Sequence, residues 1–149
     1  MPSPELSRRA FLKISLGLSG AAALIGLLKY LGYQPVPSAP TRFTLKAPGE
    51  YAVGSATTLA EAKAWLFRDE AGLYAISAIC SHLGCTVGFL QDHFECPCHG
   101  SRYNAAGYVL RGPATQPLSY LALTLSEDGL VVLDTKKVVT VQQRLAVPT

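Results

Sequence analysis

The chain has 149 residues, of which 49% are hydrophobic and only 15% charged, and its formal net charge is +3. Soluble domains usually contain about 25% charged residues, so part of this chain is expected to avoid water. The basic residues form no long run, and we therefore expect no nucleic-acid partner.

A pair of arginines stands just before a long apolar segment near the N-terminus. Residues 7–13 read Ser-Arg-Arg-Ala-Phe-Leu-Lys, and this string resembles a twin-arginine export signal, which a receptor reads as an address. That route exports proteins that have already folded. We predict that residues 1–13 are the cytoplasmic end of such a signal.

The apolar segment fits either a cleaved signal core or a retained anchor. Its fifteen uncharged residues suit the core of a cleavable signal. If Lys13 and Lys29 extend toward the two interfaces, residues 14–33 make about 30 Å of helix, enough to span a bilayer core. Tyr30 and Tyr33 fall where interfacial aromatic residues are expected. Because no clean Ala-x-Ala cleavage site follows, we favour an uncleaved transmembrane anchor.

The charges that flank this anchor predict its orientation. Arg8, Arg9 and Lys13 on the N-terminal side outweigh Lys29 on the other side. The N-terminus is therefore expected in the cytoplasm, with the rest of a single-pass protein on the periplasmic or outer face of the cell membrane.

A proline-rich segment separates the anchor from the remaining chain. Residues 34–41 contain three prolines and are expected to be extended and semi-rigid, forming either a plain spacer or a hinge between partners. From residue 42 to residue 149 the pattern is that of short β-strands. We predict an all-β, antiparallel domain over this range, preceded by the single transmembrane helix.

Two hairpins stand out in the β pattern. Apolar runs at 64–67 and 73–76 flank one turn, and runs at 122–125 and 130–133 flank a second turn that contains glycine. The β-branched run at 138–141 predicts an edge strand. A single helical turn is expected over residues 59–64.

All four cysteines and all three histidines fall between residues 80 and 99. Two short strings hold most of them, Cys-Ser-His-Leu-Gly-Cys at 80–85 and Cys-Pro-Cys-His-Gly-Ser at 96–101. Two thiolates with two imidazoles can bind zinc, or a 2Fe–2S cluster in which two histidines replace two cysteines. The remaining two cysteines can form a disulfide, which is stable outside the reducing cytosol, where the export signal also places the domain.

Both strings resemble the two cluster-binding loops of Rieske iron–sulfur proteins, in the disulfide-containing, high-potential branch of cytochrome bc-type complexes. The resemblance extends over about residues 62–134, with a two-loop cluster-binding part at about 78–115. It implies one 2Fe–2S cluster per chain. Cys80 and Cys96 would bind one iron and His82 and His99 the other, and a disulfide would join the two remaining cysteines, Cys85 and Cys98.

The resemblance also implies roles for residues that do not bind iron. Ser101 and Tyr103 would donate hydrogen bonds to cluster or ligand sulfur, Leu83 would shield the cluster, and Gly112-Pro113 would start the loop that covers it. Two departures concern the docking surface. Only ten residues separate the two strings, and the covering loop reads Gly-Pro-Ala-Thr in place of Gly-Pro-Ala-Pro.

The ligand types predict the chemistry. Neutral imidazoles in place of thiolates favour the reduced cluster and raise its potential to a range of about −150 to +300 mV. Hydroxyl groups of Ser101 and Tyr103 near sulfur would raise it further. The outer ring nitrogens of His82 and His99 would contact quinol and couple proton transfer to electron transfer. His93 matches no ligand position and is expected to be a solvated loop residue.

These expectations lead to one main function and several alternatives. The resemblance implies the Rieske subunit of a membrane quinol–cytochrome c oxidoreductase, with quinol as donor, a c-type cytochrome as acceptor and cytochrome b as membrane partner. No turnover is expected from this chain alone. A Rieske small subunit of an exported molybdenum enzyme such as arsenite oxidase is the alternative. A structural zinc module is a third hypothesis, whereas a ring-hydroxylating oxygenase would need a catalytic iron domain for which the chain has no room.

Overall fold

The N-terminal unit of the chain contains one helix. A computed structural model describes residues 7–32, 39–141 and 143–147, and it divides the chain into two compact units, Met1–Ala39 and Pro40–Thr149. Helix α1 spans Arg8–Leu31, and the Ser7 side chain caps it by accepting a hydrogen bond from the Ala10 N–H. At 1.5 Å per residue it is about 36 Å long, so by length and composition it can cross a membrane once.

The helix begins earlier than the predicted membrane segment, because the cap at Ser7 places the two arginines and Lys13 inside the helix. Tyr33 and most of the predicted hinge lie outside the described residues, which resume at Ala39.

The second unit is built from β-strands, as predicted. In its described residues ten strands and one short 3₁₀ turn, Pro48–Glu50, follow in chain order. The strands are β1 Arg42–Thr44, β2 Ala56–Leu59, β3 Ala64–Asp69, β4 Gly72–Ser77, β5 Gly88–Leu90, β6 His93–Glu95, β7 Arg102–Asn104, β8 Val109–Arg111, β9 Tyr120–Leu125 and β10 Val131–Val139. They form two antiparallel sheets, one of six strands and one of four.

The six-stranded sheet has the order β1-β10-β9-β4-β3-β2. Both predicted hairpins are confirmed within it, β3 with β4 and β9 with β10. The first turn is tighter than predicted because Asp69 Oδ1 accepts hydrogen bonds from the N–H groups of Ala71 and Gly72. Leu66, Leu73, Val131 and Leu133 form the centre of the apolar cluster on this sheet, and each is at most 1% exposed.

Two local predictions are wrong. Residues 59–64 form no helical turn, since β2 and β3 pair from Ala56 to Phe67 with a tight turn between them. The run at 138–141 is not a separate edge strand. Val138 and Val139 are the end of the long strand β10, and after an irregularity in register they pair with Leu121 and Tyr120. β-Branched composition favours a strand but does not say where one strand ends.

The four-stranded sheet has the order β5-β6-β7-β8 and is much shorter, with three residues in each strand. Phe94 and Tyr103 lie opposite each other in its central pair, and both are fully buried. The Phe94 ring packs on Phe67 of the large sheet, with ring centroids 6.0 Å apart. This aromatic contact joins the two sheets and gives the loops of the small sheet a rigid base.

Candidate functional site

Both cysteine- and histidine-containing strings form the same turn. The N–H of Cys80 donates to the carbonyl of Cys85, and the N–H of Gly84 donates back to the carbonyl of Cys80. The second string repeats this pattern with Cys96, Ser101 and Gly100, at distances between 2.8 and 3.0 Å.

Both glycines have positive φ, +77° at position 84 and +71° at position 100, a region that other residues rarely adopt. The first loop, at 80–87, follows β4, and the second, at 96–101, joins β6 to β7. Each loop therefore starts with a cysteine held by its own backbone.

A disulfide joins the two loops. It connects Cys85 of the first loop to Cys98 of the second, so the pairing expected from the resemblance is confirmed. The sulfur of Cys96 lies within 4.8 Å of both disulfide sulfurs. Because those two sulfurs are bonded to each other, they offer no thiolate, and Cys80 and Cys96 are the two free cysteines.

The free cysteines are buried, whereas the loop histidines lie nearer the surface. Cys80 and Cys96 are each 2% exposed, whereas His82 is half-buried and His99 is exposed. The two imidazole rings lie with centroids 5.0 Å apart and planes at 89°. Next to them Leu83 is 71% exposed. The loops thus place two thiols inside and two imidazoles at the surface.

Tyr103 links strand β7 to the first loop. Its hydroxyl lies 3.2 Å from the sulfur of Cys80, and it accepts a hydrogen bond from the Ser81 N–H at 3.2 Å. Burial raises the pKa of the Tyr103 phenol, and the contact with Cys80 raises it further, so the phenol keeps its proton. The protonated hydroxyl is a hydrogen-bond donor for the sulfur.

The Cys80 thiol is prepared to lose its proton. Burial acts to raise the pKa of this thiol, but hydrogen bonds, chiefly from Tyr103 and then from the His82 N–H, outweigh burial and lower it. A thiolate is the form of cysteine that binds metal, so these hydrogen bonds favour a metal ligand at position 80.

A third loop covers the first two. It follows β8 and begins with Gly112-Pro113, as expected, through a cis peptide bond. The Ala114 N–H donates to Ser101 Oγ at 3.0 Å, and Ser81 Oγ donates to the Gln116 carbonyl at 2.6 Å. Ser101 is fully buried. The third loop is therefore bonded to both of the others.

Sequence reasoning missed Ser81 and Gln116. They are 35 positions apart, and neither belongs to a residue type that marks a site by itself. The contact exists only because the loops after β4 and β8 meet at one end of the domain.

His93 lies apart from the other histidines. It starts strand β6, not a loop, and it is half-buried. Its Nδ1 contacts Asp92 Oδ1 at 2.8 Å, and this hydrogen bond lowers the pKa of the Asp92 carboxyl. His93 therefore interacts with the adjacent Asp92 and lies outside the two loops.

Comparison with known families decides the identity of this arrangement. The family model of the Rieske [2Fe-2S] domain matches residues 44–143, more than half of the chain. The chain belongs to the Rieske family. The resemblance of the two strings is thereby confirmed, and the cofactor of this Rieske protein is a 2Fe–2S cluster.

The relatives of this Rieske protein include iron-sulfur subunits of cytochrome b6-f complexes. The cytochrome b6-f complex iron-sulfur subunit of Chlorobaculum tepidum is 33% identical over 141 residues, 87% of this chain and 76% of that protein. The chloroplastic cytochrome b6-f complex iron-sulfur subunit of Volvox carteri is 48% identical over 64 residues, 42% of this chain. That match spans only 31% of the Volvox protein. Among solved structures, a chain titled hyperthermophilic respiratory Complex III is 25% identical, with a TM-score of 0.45, covering 79% of this chain and 98% of that one.

The donor set at the loops fits the cofactor of the Rieske family. Two free, buried thiols and two adjacent imidazoles have the donor types that such a cluster takes, two sulfur and two nitrogen atoms. A hydroxyl donor already faces one of the sulfurs, and the disulfide holds the two loops at a constant separation. The same end of the domain thus contains every group that the cluster requires.

Proposed function

We propose that Cys80 and Cys96 bind one iron of the cluster and that His82 and His99 bind the other. The burial of the free thiols and the adjacent, perpendicular imidazoles support this assignment. When bound, the cluster accepts and releases a single electron. This ligation requires the two loops to stay close together, and the disulfide between them supports that.

A histidine substitution tests this assignment. His99→Ala should abolish the electron paramagnetic resonance signal of the dithionite-reduced protein, because it removes a nitrogen ligand. His93→Ala is the matched control, since it changes a histidine of the same small sheet that contacts Asp92 and Glu95. A full-strength signal in the His99 variant would contradict the ligand set. A colourless, silent wild-type protein would favour the zinc module.

We propose further that Tyr103 and Ser101 set a high potential. Both hydroxyls are buried beside the ligand loops, and the reduced cluster carries one more negative charge than the oxidised one. Hydrogen bonds to sulfur stabilise that additional charge. Leu83, which follows His82 in the chain and is exposed, would supply an apolar contact that excludes water when a partner docks.

The proposed reaction is oxidation of quinol at the two loop histidines, His82 and His99. Each one-electron step of quinol oxidation releases one electron and one proton. The outer ring nitrogen of His99, or that of His82, can accept a hydrogen bond from the quinol hydroxyl and then take its proton. The cluster held by these histidines would take the electron. The same end of the domain can therefore take both the electron and the proton from quinol.

We infer that this protein is the electron-transfer subunit of a membrane quinol–cytochrome c oxidoreductase. Its donor is quinol, its acceptor is a c-type cytochrome and its membrane partner is cytochrome b. The b6-f subunits among its relatives and the apolar helix α1 support membrane assembly. The domain would lie on the outer face, and residues 34–41 would act as the hinge.

Isolation of the intact membrane complex tests the assembly. Co-purification of b-type haem with the chain supports the quinol–cytochrome c oxidoreductase. Co-purification of a molybdopterin enzyme instead would support the arsenite oxidase alternative and overturn the proposal.

A separate experiment tests export and anchoring. Replacing both arginines, Arg8→Lys with Arg9→Lys, should retain the domain in the cytoplasm if the twin-arginine route is used. N-terminal sequencing of the mature wild-type protein should start near Met1. A mature start near residue 39 would show cleavage and contradict the anchor.

A further inference from the structure

The part of the chain that forms the three loops contains very few charges. Residues 71–126 include only four charged side chains, Asp92, Glu95, Arg102 and Arg111. The loops themselves, at 80–87, 96–101 and 112–119, contain none. Within this stretch, only these four residues can contribute a formal charge beside the loops.

Two of the four neutralise each other. Arg102 Nη2 donates to both carboxylate oxygens of Glu95, at 3.1 and 3.4 Å. The two residues are direct cross-strand neighbours, β6 to β7. Together they contribute no net charge beside the loops.

Asp92 lies too far from the loops for its charge to act on a partner that docks there. It precedes strand β6 and contacts His93, at the end of the strand opposite Cys96. Four residues of extended chain correspond to about 13 Å, which is longer than the Debye length of about 8 Å at physiological salt. Its charge is therefore largely screened at the loops.

Arg111 remains as the unpaired charge. It ends strand β8, immediately before Gly112, and its side chain is exposed. Among the described residues no carboxylate lies within ion-pair distance of its guanidinium. Its cross-strand neighbour is Arg102, and like charges in that relation repel each other. The pairing of Arg102 with Glu95 reduces this repulsion, so Arg111 is the one free cation among the four charged residues of 71–126.

The position of Arg111 is fixed relative to the ligand loops. The third loop starts one residue later and is bonded to Ser101 of the second loop and Ser81 of the first. Arg111 therefore lies directly beside the third loop, which is bonded to both ligand loops. An arginine suits docking at this position because it binds a carboxylate with two parallel hydrogen bonds.

We propose that Arg111 is a docking residue that pairs with a carboxylate on the protein that accepts the electron, so that this acceptor has an acidic contact surface. The inference rests on the proposed electron-transfer function and adds to it the surface chemistry of the partner. Arg111 acts on association and not on the cluster, so its contribution depends on ionic strength.

The experiment measures electron transfer from the full-length, detergent-solubilised protein after reduction with ascorbate. Stopped-flow mixing with an oxidised c-type cytochrome of acidic surface gives the second-order rate constant. Mixing with a cytochrome c of basic surface gives the matched comparison. Both are measured from about 0.01 M to about 1 M salt, over which the Debye length falls from about 30 to about 3 Å.

Three variants are compared. Arg111→Glu reverses the proposed docking charge, and Arg111→Lys retains it. Lys46→Glu is the control, because it lowers the net charge from +3 by the same two charges on a residue beside Val131 of the large sheet. Lys46 is 71% exposed and pairs with Glu50 at 3.8 Å, so the fold should tolerate this change.

We expect Arg111→Glu to slow reduction of the acidic cytochrome about tenfold at low salt, the low end of the range for electrostatic steering, and to accelerate reduction of the basic one. At high salt all rates should converge, and Arg111→Lys should behave as wild type. Equal effects of Arg111→Glu and Lys46→Glu would overturn the docking role, as would a loss independent of salt. A wild-type protein that reduces neither cytochrome would overturn the proposed function itself, and the docking role with it.

Discussion

Removal of the Tyr103 hydroxyl should lower the midpoint potential of the cluster. Tyr103→Phe deletes one oxygen from a side chain that is fully buried, and it leaves the ring in place between Phe94 and the loops. The variant also loses the hydrogen bond from the Ser81 N–H, but the lost contact that involves a cluster ligand is the 3.2 Å hydrogen bond to the sulfur of Cys80. Because the reduced cluster is more negative, that bond is stronger in the reduced state, and its loss disfavours reduction.

The magnitude follows from the energy of one hydrogen bond to a charged group. Such bonds contribute about 1.5–3 kcal/mol, and we take about half of this as the difference between the two oxidation states. For one electron, a tenfold change in the equilibrium constant corresponds to about 59 mV and about 1.4 kcal/mol. The midpoint potential should therefore fall by about 30–65 mV.

A redox titration followed by electron paramagnetic resonance measures this shift. Tyr108→Phe is the control, since the Tyr108 side chain is 50% exposed and belongs to the same small-sheet region without contacting a ligand. A Tyr103→Phe potential within about 10 mV of wild type would refute the reasoning, because thermodynamics requires a shift if the bond differs between the two states.

Three further results are expected. Ser101→Ala should also lower the midpoint potential in the same titration, and an unchanged value would show that its hydroxyl serves only the Ala114 N–H. Replacing Cys85 and Cys98 together by serine should lower the free energy of unfolding in denaturant by about 3 kcal/mol, because the bridge closes a short loop, with a sequence separation of 13; a loss below about 1 kcal/mol would contradict this. Phe94→Ala should cost about 3–5 kcal/mol in the same assay, and Phe94→Leu distinctly less.

Local patterns in the sequence were sufficient for the hairpins. Two apolar runs on either side of a short polar turn predict a hairpin, and β3 with β4 formed as expected. The end of β10 was not predictable in this way. Val138 and Val139 read as an edge strand, yet they continue the strand that begins at Val131, after a register shift between Asp134 and Val138.

The grouping of every cysteine and histidine within twenty residues predicted a metal site, and the resemblance of the two strings to Rieske loops predicted the family and the cofactor. Tertiary structure alone decided how the third loop is held. Its bonds to Ser81 and Ser101 cross 35 and 13 positions, and only the packing of the small sheet brings them together. Tertiary structure also decided which charged side chains at this surface are paired. Arg102 and Arg111 look alike in sequence, but strand pairing neutralises one against Glu95 and leaves the other free.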